Sequence, residues 1–181
     1  MKLAIRETGG GYGKGVFAGE TIAKGSIIKV LRGEIISFDE CIERIKKGEE
    51  NQSDSLQVGL ELDMDLDKLS NTFNHSCNPN AGIRKQSELF ALRNIAADEE
   101  ITYDYSLTVG PNVPADVWIM ACKCGHKECR KIIGNVLSIP EKRLEKYRKL
   151  DALQDYMKDE LKRIKKVNGA YILPEYRKIV L

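Results

Sequence analysis

The densest group of chemically active side chains lies at residues 74–80, which read Asn-His-Ser-Cys-Asn-Pro-Asn. Asparagine and proline favour turns, and asparagine and serine side chains can satisfy backbone groups locally. This stretch is therefore expected to bend tightly around another group rather than to form a helix or a long strand. Two later groups are expected to lie against it. They are the tyrosine pair Tyr103 and Tyr105, and the cysteines that follow residue 121.

Three of the five cysteines, Cys122, Cys124 and Cys129, lie close together in the sequence. Thiolates at short spacing are typical of a tetrahedral zinc site, which takes four ligands. Three cysteines leave the fourth position open, and His126 is the nearest other residue of a ligating type. A redox pair is the alternative, but cytosolic redox motifs usually have the spacing Cys-x-x-Cys, which is absent here. Cys41 has no partner in the pattern and is expected to be a small buried residue.

In their types and order these groups resemble the SET-domain protein-lysine N-methyltransferases. Asn-His-Ser-Cys at 74–77 is followed by Tyr-Asp-Tyr at 103–105 and then by three cysteines spaced as in the post-SET zinc motif. Gly-Lys-Gly-Val-Phe-Ala at 13–18 and Arg-Gly-Glu at 32–34 extend the match over most of the chain. The Gly-x-Gly element alone is a weak signal, whereas the ordered combination is specific.

The resemblance implies the methyl donor S-adenosyl-L-methionine and a role for each matching residue. It makes Tyr105 the catalytic tyrosine beside the methyl group, with His75 bracing it. It supplies Cys77 as the fourth zinc ligand beside the three later cysteines, and it makes the zinc structural. The residues that it assigns to the cofactor are Tyr12, Gly13, Lys14, Gly15, Asn74, His75 and Tyr105.

Methyl transfer to lysine requires a neutral amine, a linear approach and the exclusion of water. Burial and a nearby positive charge both lower the pKa of an amine and favour its nucleophilic form. Tyr103, the third residue assigned to catalysis, occupies a position where the family has Phe or Tyr. Its hydroxyl takes up space and holds water, which resembles the enzymes that stop after one methyl group. The chain departs from the family at Leu31, where tyrosine is frequent, and at Asn71 and Thr72, where Arg and Phe are common.

The elements that must position these groups are short strands separated by glycine, which favours small sheets over βαβ units. Residues 58–67 alternate regularly, which predicts one strand with an apolar face inward. Glu61, Asp63, Asp65 and Asp67 would then share a solvated face, or attract a basic substrate segment. The predicted fold class is mostly β (α+β), and the resemblance implies the SET fold of small twisted sheets with a pseudoknot.

Helices are predicted at two places. Residues 39–47 have apolar side chains at helical spacing. Ser138 and Glu141 have the spacing of a capping box, with Pro140 in the first turn. One C-terminal helix is therefore expected to run from there to about Lys166, with an apolar side that serves either core packing or oligomerisation. The predicted organisation is a SET core at 1–110, a post-SET zinc-binding segment at 111–136 and a C-terminal helical extension at 137–181.

The composition is that of an ordinary globular domain, with 42% hydrophobic and 31% charged residues and a net charge of +2. The near balance of charge argues against a polycation built for nucleic acid. No apolar run approaches the roughly 18 residues of a membrane span. The first residues lack the apolar core of a signal peptide, so a cytoplasmic location is expected, with a nuclear or host-cell location as the alternative.

Together these features predict a protein-lysine N-methyltransferase that acts on histone-like or other protein lysines and adds one methyl group. The expected partner is a protein or peptide that carries lysine; neither membrane association nor direct nucleic-acid binding is expected. The first alternative is a catalytically degenerate SET-fold module that binds lysine-bearing peptides. The second is a zinc-stabilised nucleic-acid binder that uses the basic C-terminal helix, for which strongly salt-dependent affinity would be expected.

Overall fold

Short strands dominate the chain, and most of them pair antiparallel in separate small sheets. The structure is a computed structural model that describes residues 1–9, 13–168 and 170–176. The first six strands are β1 (Leu3–Glu7), β2 (Lys14–Ala18), β3 (Ile27–Val30), β4 (Gly33–Ser37), β5 (Ser55–Gly59) and β6 (Leu62–Leu66). The later ones are β7 (Asn74–His75), β8 (Ala81–Arg84), β9 (Glu88–Ala91), β10 (Thr102–Tyr103), β11 (Met120–Ala121), β12 (Ile132–Ile133), β13 (Lys165–Val167) and β14 (Ala170–Ile172).

Two three-stranded antiparallel sheets carry much of the core. One has the order β3-β9-β8 and the other the order β4-β6-β5, while β1–β2, β11–β12 and β13–β14 are two-stranded pairs. Inward-facing side chains such as Val16, Leu56, Ile83 and Leu89 are fully buried and belong to one continuous apolar cluster. The mostly β fold class predicted from the sequence is confirmed.

The parallel pair β7–β10 brings distant parts of the chain together. Thr102 lies opposite Asn74, and Tyr103 lies opposite His75. Such a short parallel ladder provides few backbone hydrogen bonds, so the surrounding core must hold it in place. The predicted return of the tyrosine segment to residues 74–80 is therefore a feature of the fold.

The alternating stretch at 58–67 was predicted as one strand, which is wrong. It contains the end of β5, a turn at Leu60 and Glu61, and β6, and the two strands pair in a hairpin with Gly59 opposite Leu62. A residue from a distant part of the chain stabilises this turn, because Asn112 Nδ2 donates to the carbonyl oxygen of Leu60 at 3.2 Å. The predicted solvated face is also wrong at one position, since Asp63 is only 3% exposed.

The first helix, α1 (Phe38–Lys47), confirms the helix predicted at 39–47. The side-chain oxygen of Ser37 accepts a hydrogen bond from the amide of Glu40 at 3.1 Å, which caps the first turn. Gly48 ends the helix in the left-handed conformation, with φ +72°. One face of the helix covers β4 and β6.

The single C-terminal helix predicted from residue 140 to about 166 is wrong. The chain forms α2 (Glu141–Lys149) and α3 (Asp155–Arg163) instead. Asp151 between them has φ +55°, and the buried Gln154 Nε2 donates to the carbonyl oxygens of Gln57 and Gln86. These tertiary hydrogen bonds make the break more favourable than a continuous helix. The predicted capping box is also absent, because α2 has no side-chain cap.

The C-terminal extension nevertheless packs as its apolar periodicity predicted. Leu144, Tyr147, Leu153 and Met157 are buried in the same apolar cluster as the central sheets. Among the described helices, none combines the length and apolar character needed to cross a bilayer. Three 3₁₀ turns complete the structure, at Ser70–Thr72, Tyr105–Thr108 and Val136–Ser138.

Candidate active site

The β7–β10 ladder places an aromatic cluster at the centre of the site. Tyr105, in the 3₁₀ turn that follows β10, has its ring centroid 5.4 Å from that of His75 and 5.0 Å from that of Tyr103. The Tyr105 hydroxyl donates to the carbonyl oxygen of Phe73 at 2.8 Å. Burial raises the pKa of both tyrosines, so both hydroxyls are protonated at neutral pH.

His75 supports the backbone of Tyr105. Its Nδ1 accepts a hydrogen bond from the Tyr105 amide at 3.2 Å, and its Nε2 lies 3.3 Å from the Cys77 sulfur. Burial, with the neighbouring Arg130 guanidinium, lowers the pKa of His75 to about 3. The imidazole is therefore neutral, as its acceptor role requires. The bracing role that the resemblance implied has a direct counterpart in this contact.

The glycine segment, residues 13–15, lies against Asn74. Asn74 Nδ2 donates to the carbonyl oxygen of Lys14 at 3.0 Å and to Glu100 Oε1 at 2.7 Å. A Cβ atom at Gly15 would lie 2.3 Å from Glu100 Oε1, so any other residue here would require the Glu100 side chain to shift. Gly13 has φ +77° in the turn before β2. Tyr12, also predicted to bind the cofactor, lies outside the described residues.

Two pockets meet at Tyr105. The larger is an open cleft of 500 Å³ whose lining includes Asn74, His75, Glu100 and Tyr105. The smaller has a volume of 30 Å³ and includes Tyr103 and Tyr105 in its lining. Most of the remaining wall of the smaller pocket is apolar, formed by Phe38, Ile42, Ile45, Val109, Val113, Val117 and Trp118. A group in the cleft and a side chain in the smaller pocket would therefore approach each other beside the Tyr105 ring.

The cysteine cluster forms one end of the cleft. Ligand atoms of His75, Cys77, Cys122 and Cys124 all lie within 4.8 Å of one another, and the Cys77 and Cys122 sulfurs are 3.6 Å apart. The predicted ligand Cys129 is not among these four residues; it packs against the same small cluster, with its sulfur 3.8 Å from the Cys122 carbonyl oxygen. Several thiols gathered at this spacing are the donor set that zinc prefers, so the residues fit a zinc ion.

The other two candidates from the sequence lie outside this group of ligand atoms. His126 is engaged elsewhere, because its Nε2 contacts Asn78 Nδ2 at 3.1 Å and its Nδ1 accepts from the Glu128 amide. Cys41 is buried on α1, as predicted, and its sulfur lies 3.1 Å from Ser55 Oγ. The sequence did not indicate the proximity of His75 to the thiols, because no spacing rule links a histidine to a cysteine two residues later.

A buried ion pair connects the cysteine cluster to the tyrosine segment. Arg130 Nη2 donates to Asp104 Oδ1, and Tyr147 on α2 donates to Asp104 Oδ2 at 3.2 Å. The backbone amide of Arg130 donates to the Cys77 sulfur at 3.4 Å. Burial raises the pKa of Asp104, while Arg130 opposes that rise. Sequence reasoning missed this network, because Asp104, Arg130 and Tyr147 are far apart in the chain and no spacing pattern links them.

A family model described as the SET domain matches residues 13–106, which is more than half of the chain. The chain belongs to the SET domain family. The match contains residues 13–15, the Asn74–His75 pair and the Tyr103–Tyr105 pair, and these two pairs line the two pockets. It ends before the three later cysteines.

Named relatives of this SET domain are histone-lysine N-methyltransferases. Su(var)3-9 of Drosophila melanogaster is 30% identical over 158 residues, which covers 74% of this chain and 25% of that protein. ASHR3 of Arabidopsis thaliana is 34% identical over 136 residues, covering 67% of this chain and 26% of that protein. The chain thus spans about a quarter of the length of these relatives.

Solved structures of low sequence identity share this fold. The match to KRYPTONITE, in complex with mCHG DNA and SAH, covers 73% of this chain and 29% of that chain, with a TM-score of 0.54 and 24% identity. A humanised mutant of the Chaetomium thermophilum Polycomb Repressive Complex 2, bound to the inhibitor GSK126, covers 59% with a TM-score of 0.53 and 21% identity. The similarity supports the SET fold implied by the sequence.

Proposed function

We propose that this SET domain transfers a methyl group from S-adenosyl-L-methionine to the side-chain amine of a protein lysine. The observation that supports this proposal best is that Tyr105 lines both the open cleft and the narrow apolar pocket. When bound, S-adenosyl-L-methionine supplies a methyl group activated by its sulfonium. The chain has to bind both reactants, orient them and exclude water, which can account for several kcal/mol of the barrier.

The cleft fits a cofactor of this size. Its volume of 500 Å³ is within the range of about 300–1,000 Å³ that small-molecule sites occupy. The backbone at Gly15 lies close to the side chains of Asn74 and Glu100, and both of these residues line the cleft. Lys14, Gly15, Asn74 and His75 would hold the cofactor, with Gly13 shaping the turn.

The smaller pocket suits the aliphatic part of a lysine side chain. Its apolar side chains suit the methylene groups of that side chain, and Asp63 is a polar residue in the same lining. The Tyr105 hydroxyl donates its proton to the Phe73 carbonyl oxygen, so toward a bound reactant the phenolic oxygen would act as an acceptor. Weak C–H···O contacts to such an oxygen can orient carbon groups at the junction.

We further propose that one methyl group is added. Tyr103 is buried, with 4% of its surface exposed, and its ring packs against Tyr105. The buried hydroxyl takes space beside the narrow pocket, which disfavours a bulkier dimethylated or trimethylated amine. Mass spectra of the modified substrate test this, and a dominant trimethylated product would contradict it.

A zinc ion held by Cys77, Cys122, Cys124 and Cys129 would have a structural role in this scheme. Four thiolates close the coordination sphere and leave no position for a substrate. The residues on either side of these cysteines, including Ala121 and Lys123, also line the cleft. Metal binding would therefore order one wall of the cofactor site.

The proposed substrate class is a basic protein, with histones as the first candidates because the named relatives are histone-lysine methyltransferases. The decisive experiment incubates the protein with a labelled methyl donor and purified core histones. Label on lysine is expected with the wild type, and a loss of about a hundredfold or more is expected with Tyr105→Phe.

Tyr171→Phe, in the exposed C-terminal hairpin, is the matched control and should leave the rate unchanged. Calorimetric titration with S-adenosyl-L-methionine separates the enzyme from a degenerate binding module. Absence of cofactor binding by a folded, zinc-loaded protein would favour the module and contradict the proposal.

A further inference from the structure

A buried carboxylate, Asp63 on β6, lines the same narrow pocket as the two tyrosines. Only 3% of the residue is exposed, and among the described residues its Oδ2 atom has no hydrogen-bond partner. Buried carboxylates are normally paired, because an unpaired one loses its hydration without compensation. This oxygen therefore has the character of a site that a ligand completes.

The other oxygen of Asp63 accepts from a short chain of donors. Ser55 Oγ donates to Asp63 Oδ1 at 3.3 Å, and the Cys41 sulfur lies 3.1 Å from Ser55 Oγ. Burial raises the pKa of Cys41 to about 12, so its thiol is protonated and can donate to Ser55. The chain Cys41–Ser55–Asp63 thus holds the carboxyl group in place as an acceptor, while Oδ2 stays available.

The Arg44 guanidinium, which lies beside β6, is paired with carboxylates other than Asp63. The Arg44 guanidinium pairs with Asp65 and Glu50 at 2.9 and 3.2 Å, and with Glu34 and Glu40. One cation therefore faces four carboxylates, and the Glu50 carboxylate also acts on Asp63. The region beside the pocket has an excess of negative charge that attracts a cation.

The pocket and a cationic side chain compensate for each other's unfavourable burial. An ammonium group among apolar walls is costly unless it is paired, and the free oxygen of Asp63 is costly for the same reason. Since Tyr103 and Tyr105 line this pocket, the side chain that enters it is the one to be methylated. We propose that Asp63 receives the ammonium group of the incoming substrate lysine and so selects a cationic side chain over a neutral one of equal length. This inference rests on the proposed lysine methylation.

The test uses two small probes that differ in charge, n-butylammonium chloride and butan-1-ol. Each is titrated into the zinc-loaded 181-residue protein with labelled valine and isoleucine methyl groups, and NMR shifts of Val109, Val113 and Ile42 report occupancy of the pocket. The wild type should bind butylammonium at least about tenfold more tightly than butanol, as expected for a buried charge-assisted hydrogen bond. The carboxyl carbon resonance of Asp63 should move with butylammonium and not with butanol.

The preference should fall to about twofold or less in Asp63→Asn, which keeps the shape of the side chain but removes its charge. Asp65→Asn is the matched control, because it removes a carboxylate from the same strand. The Asp65 carboxylate pairs with Arg44 and does not line the pocket. Equal affinities of the wild type for the two probes would overturn the proposal, as would a preference that persists in a folded Asp63→Asn. If that variant does not fold, the wild-type comparison and the Asp63 resonance decide.

These measurements need neither catalysis nor a known protein substrate. A protein that prefers butylammonium through Asp63 but methylates nothing would refute the proposed function and leave this binding role intact. A protein that methylates lysine without the preference would refute only the role of Asp63.

Discussion

At the scale of single residues, Gly15 shows how closely the backbone approaches the side chains that shape the cleft. Gly15→Ala places a Cβ atom 2.3 Å from Glu100 Oε1 and 2.8 Å from Asn74 Nδ2, so these two hydrogen-bonded side chains must shift from their positions in the cleft wall. We expect the Kd for S-adenosyl-L-methionine to rise about tenfold or more, which calorimetry would measure.

Gly59→Ala is a suitable control for this prediction. Its Cβ atom would meet Leu62 Cβ at 3.7 Å, an ordinary van der Waals distance, and Gly59 does not line the cleft. Its cofactor affinity should match that of the wild type. Wild-type affinity in Gly15→Ala would show that the approach of the glycine segment is not needed for binding.

Asp63 gives a pH dependence with a definite sign. Burial raises its pKa from 3.8 to about 7, so between these values the folded protein binds a proton that the unfolded chain has lost. The contribution of Asp63 to the free energy of unfolding therefore falls as pH rises through this window and levels off above the folded pKa. Between pH 6 and pH 8 the wild type should lose about 1 kcal/mol more stability than Asp63→Asn.

Urea unfolding of both proteins at the two pH values would measure this difference. Asp116→Asn, which changes an exposed carboxylate, should follow the wild type across the range. A wild type and Asp63→Asn that change in parallel would show that Asp63 keeps the same protonation in the folded and unfolded states.

At the scale of elements, the Arg130–Asp104 pair ties the loop between β11 and β12 to the turn that carries Tyr105. The Asp104 side chain is fully buried and that of Arg130 is 10% exposed. Arg130→Met leaves Asp104 with its hydrogen bonds from Tyr147 and Ser106 but no countercharge. Breaking a buried pair in this way costs about 3–5 kcal/mol, so we expect a loss of that order in urea unfolding.

The comparable change at the surface is Arg148→Met on α2, where the ion pair with Glu141 is about half exposed on both sides. Such pairs contribute at most about 1 kcal/mol. If both variants lose a similar amount of unfolding free energy, burial does not strengthen the Arg130–Asp104 pair.

Elements with local causes, such as α1 with its serine and glycine caps, were predictable from the sequence. The ion pair that joins two distant elements was not.

At the scale of the whole molecule, the cysteine cluster joins residues near β7 to the hairpin β11–β12 and closes one wall of the cleft. A structural zinc site contributes binding free energy on the order of 10 kcal/mol, comparable to the whole stability of a domain. Removing zinc with a chelator should therefore lower Tm sharply and weaken cofactor binding, and adding zinc back should restore both.

Elemental analysis should find one zinc per chain in the wild type and in Cys41→Ser, and none in Cys124→Ser. Cys41 is the control because it is buried away from the cluster, against Ser55. An unchanged Tm in a chelated protein shown to be free of zinc would refute a structural role for the metal.

The sequence by itself determined the residue types and their order along the chain, which indicated the SET family, the tyrosine pair and the cysteine set. It also determined the elements with local causes, such as α1. These features could be read because their physical origin lies within a few residues, in turn preferences, caps and periodicity.

Only the tertiary structure decided how distant segments compensate for one another. The hydrogen bonds of Gln154 divide the predicted helix into α2 and α3, and the hairpin β5–β6 with the pocket beside it turns Asp63 from a solvated carboxylate into a buried one. Burial and pairing depend on which parts of the chain meet in space. The short-range pattern does not show which face of a strand is buried, because an acidic residue fits the alternation whether its face meets solvent or the core.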